Sequence, residues 1–301
     1  LLWLWETIAE PVLVHLGLSP TTPDNQPRLW LIPTGPLANW PIHAAGDFTG
    51  QRLEPISISD YAVCSYSTSI QALDSARKPI AMPTTARALL VENERSPYLP
   101  SSQLFTSHEI SELSAICRSR GLEVFQAKYE EGFLQALASY ILFHFSGSFT
   151  NIDGDPLRSR FSLTKGLITV KDILEVIPRP RSPPYLAYLS SCDTSRTFKI
   201  EFANECLHAA GALYMGGFRH TIGTLGAVED EFCDEISGRF YRAWADRGFS
   251  DDAVALCLND VARQCRNLGI GGKFTDDGIN LGDDNDDKKE MDWASFIHFG
   301  P

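Results

Sequence analysis

Six short apolar runs, separated by stretches of helical periodicity, constrain the fold of this chain more than any other feature. Most of them carry apolar side chains at consecutive positions, which is typical of strands covered by helices on both faces. The runs are Arg28–Pro33, Arg87–Val91, Leu122–Ala127, Tyr140–Ser146, Tyr185–Ser191 and His220–Leu225. Strands that alternate with helices predict an α/β fold with a mostly parallel central sheet of about six strands and helices on both faces.

The segments between and after these runs repeat apolar residues at helical spacing. In Ser107–Arg120, for example, Ile110, Leu113 and Ile116 fall on one helix face. The same spacing predicts helices at Leu1–Leu16, Glu130–Ser139, Glu201–Met215, Asp230–Ala245 and Asp251–Asn267.

Two segments interrupt the alternation of strand and helix. Gly46–Pro83 is rich in Ser and Thr, and we predict a hairpin or an extended excursion there. Lys273–Glu290 is dominated by Asp, Gly and Asn. Its residues do not follow the D-x-[DN]-x-[DN]-G-x5-E order of a calcium-binding loop, so we interpret it as a solvated loop.

The charge balance limits the classes of partner. The chain of 301 residues has 26 Lys and Arg against 38 Asp and Glu, a formal net charge of -12. Such an acidic chain lacks the basic surface that nucleic acids and anionic membranes require. Its apolar runs, such as Tyr140–Phe145, are far shorter than the roughly 20 residues of a membrane-spanning helix. We therefore predict neither a nucleic-acid nor a membrane partner.

The cysteines indicate a reducing environment. There are seven, at positions 64, 117, 192, 206, 233, 257 and 265, with no CxxC pair and no Cys/His cluster at zinc spacing. This pattern predicts a reduced cytoplasmic protein with no metal site and no cofactor. The chain begins with Leu1, so we expect a domain taken from a longer protein.

Candidate chemistry lies where two of the predicted strands end, because ligands of open parallel sheets bind beyond the carboxyl ends of the strands. Cys192 follows the fifth run and Ser148 follows the fourth. A cysteine nucleophile needs a nearby base, usually histidine, to form its thiolate. His144 lies inside the fourth run, about 13 Å below position 148 at the rise of a strand. We expect it to be a packed core histidine bonded to the backbone.

Several segments together resemble the CHAT domain in its fungal form, a caspase-like module often found beside TPR repeats and related to caspase and separase-like cysteine peptidases. The matching segments are Leu4–Ile8 with Pro11–Leu13, Leu29–Leu37 with Trp40–Ala45, His144–Gly147, Leu189–Thr194, Gly217–Asp230, and Trp293 with His298–Gly300. The resemblance implies a caspase-like three-layer sandwich forming one domain over residues 1–301. Residues 1–83 would hold an entry helix and a hairpin region, 84–268 the caspase-like core, and 269–301 the acidic loop and C-terminal segment.

The resemblance also implies site residues, and the chain departs from the family at two of them. The nucleophile of the family motif L-S-A-C-x-T corresponds to Cys192, whereas the second His of H-F-x-x-H-G and its Gly are replaced by Ser148 and Phe149. Serine cannot act as a base near pH 7. Gly226 stands where the family usually has Trp.

Three functions remain open on these residues. The first is a pseudo-peptidase that acts as a protein-interaction or signalling module. The second is an active cysteine endopeptidase that uses another base, its own or a partner's. The third is an active parent in which a His at position 148 has been replaced.

For a peptide partner, the resemblance places the binding residues around the strand ends. They are Gly147, Asp153, Asp193, Gly226 and Asp230. Backbone N–H groups near Gly147 and Cys192 would stabilise an oxyanion, and the carboxylates favour a basic residue at the cleaved position. Alternatively, Asp230 caps the following helix, Asp193 braces its turn and Cys192 is an inert thiol. The expected partners are a protein or peptide and flanking TPR or regulatory domains.

Overall fold

A computed structural model describes residues 1–50, 54–77, 86–93, 102–127, 133–137, 139–152, 155–163, 166–176, 184–196, 208–270 and 289–301. The α-helices are α1 Leu2–Leu4, α2 Glu10–His15, α3 Ile70–Ala76, α4 Ser102–Ser119, α5 Phe133–Leu137, α6 Val170–Val176, α7 Ala209–Gly216, α8 Asp230–Asp246 and α9 Ala253–Leu268. The strands are β1 Arg28–Leu31, β2 Gly46–Asp47, β3 Ile56–Ser57, β4 Val63–Tyr66, β5 Arg87–Glu92, β6 Glu123–Ala127, β7 Leu142–Ser146, β8 Phe149–Thr150, β9 Arg160–Ser162, β10 Leu167–Thr169, β11 Leu186–Ser190, β12 His220–Thr224 and β13 Phe296–Phe299.

The central sheet contains eight of the described strands, in the order β1-β4-β13-β12-β11-β7-β5-β6. Neighbours pair in parallel, except that β13 runs antiparallel to β12. Each of the six predicted strands is present, so the predicted α/β class and mostly parallel sheet are confirmed. The predicted number of strands was too low, because β4 and β13 have only four residues each and lie outside the alternation of strands and helices from which the sheet was predicted.

Alternating side chains of the sheet build two apolar layers. In β7, Leu142 belongs to the layer shared with α4, α8 and α9, whereas Phe143 and Phe145 belong to the layer shared with α5, α6 and α7. Successive residues of a strand point to opposite faces, so one short strand supplies both layers. The helices on both faces that the sequence predicts are therefore present.

The N-terminal segment forms a smaller apolar cluster. A π-helical turn at Trp5–Ala9 joins α1 to α2, and Leu4, Trp5 and Leu13 are buried against Ile58 and other residues of the following segment. After β1 the chain makes 3-10 turns at Gly35–Asn39 and Ile42–Ala44. The hairpin predicted within Gly46–Pro83 is the antiparallel pair β2–β3.

Some elements differ from the sequence prediction. Helix α7 begins at Ala209, and His208 caps its N-terminus instead of lying within a helix. Helices α3 and α6 and the three-stranded sheet β8–β9–β10 were not predicted. Residues 201–207, and all of Lys273–Glu290 except its last two residues, lie outside the described residues. None of the described helices combines the length and the apolar character that crossing a bilayer demands.

Candidate functional site

The carboxyl ends of β7 and β11 define the candidate site. The two strands are paired in parallel, with Ser146 opposite Ser190. Ser148 and Cys192 each lie two residues beyond this pair, and adjacent strands are about 4.8 Å apart. The exposed Ser148 and the half-buried Cys192 therefore leave the sheet at equivalent positions of neighbouring strands.

Hydrogen bonds to β12 hold the turn that carries Cys192. Thr224 donates its hydroxyl to the Ser191 carbonyl at 2.5 Å, and its backbone N–H donates to Thr194 Oγ1 at 2.9 Å. The turn crosses β12 at Gly223, where an added Cβ would lie 2.5 Å from Ser195 Oγ. Glycine at 223 thus lets the turn pack directly on the neighbouring strand.

Backbone groups of Val228 contact the Cys192 sulfur. The Val228 N–H donates to Sγ, the thiol can donate to the Val228 carbonyl, and both distances are 3.3 Å. Burial raises the pKa of the Cys192 thiol, the charges of Asp193, Asp230 and Asp292 raise it further, and the Val228 N–H opposes them. The surroundings therefore favour the neutral thiol over the thiolate.

His144 is committed to a buried hydrogen bond elsewhere. Its Nε2 lies 3.1 Å from Glu109 Oε1, and its Nδ1 has no hydrogen-bond partner among the described residues. The ring stacks on Tyr188 with centroids 4.9 Å apart. Neither nitrogen bonds the Cys192 sulfur. The expectation of a core histidine is correct, but its partner is the Glu109 carboxylate of α4 and not the backbone, because α4 inserts this side chain against the sheet.

The acidic residues predicted around the site differ in their surroundings. Asp193 has a left-handed backbone (φ 56), donates its N–H to the Gly226 carbonyl at 3.1 Å and accepts from Asn151 through its own carbonyl at 3.4 Å. Asp230 is exposed and is the first residue of α8, whose N-cap is Glu229, so the interpretation of Asp230 as the cap was one residue out. Asp153 lies outside the described residues.

Gly147 and Gly226 flank the cysteine turn from the two neighbouring strands. The Gly147 N–H donates to the Ser190 carbonyl at 3.4 Å, and an added Cβ there would meet Asn93 Cβ at 2.5 Å. At Gly226 the one atom of the described residues within 4 Å of an added Cβ is Ser295 Oγ, at 3.9 Å. The first glycine is required by close packing, whereas the second leaves space in the wall beside the sulfur.

Sequence reasoning did not identify three groups that act on the site: the Val228 backbone, the Asp292 carboxylate and Glu109. The Val228 backbone hydrogen-bonds to the Cys192 sulfur, the Asp292 carboxylate raises the pKa of the thiol, and Glu109 forms a hydrogen bond with His144. Each comes from a segment remote in sequence from Cys192. Val228 lies within the Gly217–Asp230 segment that resembles the family, but no sequence pattern shows that its backbone meets the sulfur.

Comparison with known proteins relates the chain to one family and one type of fold. The family model of the CHAT domain matches residues 1–301. No curated protein sequence matched the chain. Among solved structures, the Arg-specific cysteine proteinase gingipain R has a TM-score of 0.50 and 9% identity, over 86% of this chain and 58% of its own. A second protease structure has a TM-score of 0.51 and 12% identity, again over 86% of this chain and 58% of its own.

The structure of a Saccharomyces cerevisiae separase–securin complex gives a TM-score of 0.47 and 13% identity, over 81% of this chain and 14% of the separase-complex chain. The chain thus spans little more than half of the two proteases and a small part of the third relative. At these identities the likeness to the two proteases is one of fold. Since the family model covers the whole sequence, and the sheet with helices on both faces agrees with it, the chain belongs to the CHAT domain family.

Proposed function

We propose that this CHAT domain is a pseudo-peptidase that binds a protein or peptide partner at the carboxyl edge of its sheet. The observation that carries the proposal is the bonding of the Cys192 sulfur. Among the described residues, its hydrogen bonds are to the Val228 backbone, and no imidazole shares them.

The chemistry of peptide cleavage by cysteine depends on a thiolate and a base. Burial raises the pKa of the Cys192 thiol, and three carboxylates raise it further. Ser148 stands at the neighbouring strand end and has no basic group, and His144 is bonded to Glu109 in the core. An attacking thiol in this site therefore lacks both the charge and the proton acceptor that the reaction needs.

The same carboxylates suit a binding role. Asp193 follows Cys192, has a quarter of its side chain exposed and forms a 3.5 Å ion pair with the exposed Arg196, which a basic partner residue would displace. Asp230 is exposed at the start of α8, which follows β12. Their charge and the net charge of -12 favour a partner segment with Lys or Arg at the position nearest Cys192. The space beside Gly226 leaves room for a neighbouring side chain of the partner segment.

The proposal extends to the setting of the domain. As the resemblance to fungal CHAT domains implies, it would form one unit over residues 1–301 within a longer protein, beside TPR repeats or a regulatory domain. A cytoplasmic location is consistent with the six described cysteines, all of which are free thiols.

The test is a panel of fluorogenic and fluorescein-labelled peptides with Arg, Lys or Leu at the scissile position. We expect no cleavage by the parent protein. Fluorescence anisotropy should show that basic peptides bind, and Cys192→Ala should change their dissociation constants by no more than about twofold, because loss of one thiol group removes little from a binding surface. The double variant Asp193→Asn, Asp230→Asn should bind the basic peptides more weakly and the Leu peptide with unchanged affinity. Asn suits the left-handed backbone at position 193.

Product that appears in the parent and disappears in Cys192→Ala would reject the binding-only function and establish the alternative, a cysteine endopeptidase with another base. Equal binding of basic and Leu peptides would reject the role of the carboxylates.

A further inference from the structure

Three side chains with metal-ligating atoms converge on the outer side of the α4–α8 pair. His108 and Glu112 come from α4, and Asp234 comes from α8. One ligating atom from each lies within 4.8 Å of the other two. This cluster is separate from the cysteine turn, and none of its members takes part in the proposed binding of peptides.

The two helices create the cluster through spacing and close packing. Residues four apart on a helix share a face, so His108 and Glu112 project side by side. Helix α8 approaches at Gly238, where an added Cβ would lie 2.7 Å from Glu112 Oε2. The missing side chain at Gly238 therefore leaves room for the Glu112 carboxylate between the helices.

One oxygen of the cluster lacks a partner. Asp234 Oδ2 lies 2.7 Å from His108 Nδ1, but Asp234 Oδ1 is buried and has no hydrogen-bond partner among the described residues. A buried carboxylate oxygen without a donor is costly, because its desolvation is not compensated. A cation at this point would supply the missing interaction.

We propose that His108, Glu112 and Asp234 bind a divalent cation of the zinc class, with water completing the coordination. One imidazole and two carboxylates form a three-ligand set of the kind zinc accepts. Tetrahedral bonds of about 2.0–2.1 Å place ligand atoms about 3.3 Å apart. The His108–Asp234 contact must therefore open by about 0.6 Å, and His108 can make this movement because its side chain is 68% exposed.

The cation competes with Arg242, which forms an ion pair with Glu112. The Arg242 side chain is 55% exposed, so its guanidinium can turn into solvent when the carboxylate binds the metal. The bound cation would join α4 to α8 directly. This site differs from the sequence expectation of no metal, which rested on cysteine spacing and could not include an aspartate from a distant helix.

The test is titration of the whole protein with Zn²⁺ by calorimetry, with Co²⁺ absorption as a second readout of coordination. We expect one site per chain and a rise in melting temperature as Zn²⁺ is added, because a ligand that binds only the folded state stabilises it. His108→Ala and Glu112→Gln should each weaken binding by at least about tenfold, because removal of a supporting partner alone typically costs about 10–100-fold in metal affinity and these residues are the ligands themselves.

Three controls distinguish this site from others. Arg242→Gln should strengthen binding, because it removes the competing cation. Arg239→Gln, on the same helix but paired with Glu235, and His15→Ala, an exposed histidine on α2, should leave the affinity unchanged. His108 is exposed, so its variant folds even where Asp234→Asn does not. Unchanged Zn²⁺ affinity in both His108→Ala and Glu112→Gln, or loss of binding in Cys192→Ala, would overturn the proposal.

Discussion

Glu109 and His144 form a buried pair, 3.1 Å apart, against the sheet face below the candidate site. The same carboxylate accepts the Ser146 hydroxyl, so one α4 side chain joins two residues of β7. Ser146 is also the residue paired with Ser190 of β11. The position of α4 on the sheet and the end of β7 are therefore coupled through a single side chain.

Replacing Glu109 by Leu should destabilise the fold strongly. The side chain is 2% exposed, and its loss would leave the His144 and Ser146 donors buried without acceptors. We expect a loss of about 3 kcal/mol in the free energy of unfolding, measured by urea denaturation. Glu123→Gln removes an exposed pair with Arg87 and should cost no more than about 1 kcal/mol. Similar losses in the two variants would contradict the assigned role of Glu109.

Introducing the missing histidine should change the reactivity of Cys192. In the parent, burial and nearby carboxylates hold the thiol pKa above its ordinary value, so alkylation by iodoacetamide should be slow at pH 7. Ser148→His with Phe149→Gly would place an imidazole at the adjacent strand end. A thiolate–imidazolium pair titrates well below the free cysteine value of about 8.5. Alkylation at mildly acidic pH should therefore rise.

Phe149→Gly alone is the matched control, because Phe149 packs on Phe161 with ring centroids 4.8 Å apart and its removal perturbs the segment. Cys192→Ala identifies background labelling of the other cysteines. If the double variant and the control have the same pH profile, positions 148 and 192 do not interact, and Cys192 is better regarded as a structural thiol.

Replacement by alanine should destabilise the fold much more at Gly223 than at Gly226, three residues further along the chain. At Gly223 the new Cβ would meet Ser195 Oγ at 2.5 Å and Thr194 Oγ1 at 2.8 Å. At Gly226 its nearest contact within the described part of the chain is Ser295 Oγ, at 3.9 Å. Gly223→Ala should cost about 1–3 kcal/mol by overpacking, and Gly226→Ala less than about 0.5 kcal/mol. Thermal unfolding of the two variants provides the comparison, and equal melting temperatures would show that the cysteine turn tolerates displacement.

Acidification should destabilise the fold partly through His208. Burial lowers the pKa of this side chain to about 4, and its Nδ1 accepts the Gly211 N–H at 3.0 Å, which requires the neutral ring. The unfolded histidine titrates near 6.5, so as pH falls from about 6.5 to 4 the unfolded chain binds a proton that the folded chain does not. Stability is therefore lost over this range and is unaffected by His208 above it.

His208→Asn should reduce this loss, because Asn also caps a helix and carries no titratable group. Urea unfolding at a series of pH values between 4 and 8 gives the free energy of unfolding as a function of pH. In the Asn variant this free energy should fall less steeply with acidification, by up to about 1.4 kcal/mol per pH unit, and at pH 8 it should be close to that of the parent. His208→Ala, which also lacks a titratable group, should show the same reduced pH dependence as His208→Asn but should be less stable than the Asn variant by about 1 kcal/mol at every pH, as expected for a missing cap. A slope unchanged in the Asn variant would exclude His208 as a source of the acid sensitivity.

The sequence predicted the sheet well because continuous apolar runs such as Tyr140–Ser146 are strong local signals. It missed β4 and β13, which have only four residues each and are held by pairing with strands distant in sequence, β4 with β1 and β13 with β12. Helix α7 was extended too far, because the pattern that ends at Met215 contains no signal that His208 would act as the cap.

The strand ends that carry Cys192 and Ser148 followed from the same pattern, since parallel strands end at one edge. The surroundings of the sulfur did not. Val228 and Asp292 approach Cys192 from other parts of the fold, and only three-dimensional packing decides which backbone or carboxylate meets a given side chain. The prediction that His144 bonds to the backbone was wrong for the same reason.

Strand β13 lies between β12 and β4, although it is the last strand in sequence. During synthesis, β4 leaves the ribosome long before Phe296–Phe299, so the β1–β4 pair and the β12 side of the sheet each wait with an open edge. The nascent chain cannot close its sheet until translation of these residues is complete. A product that stops before Phe296 leaves the facing edges of β4 and β12 without β13, and such open edges are templates for pairing with other chains and for recognition by chaperones.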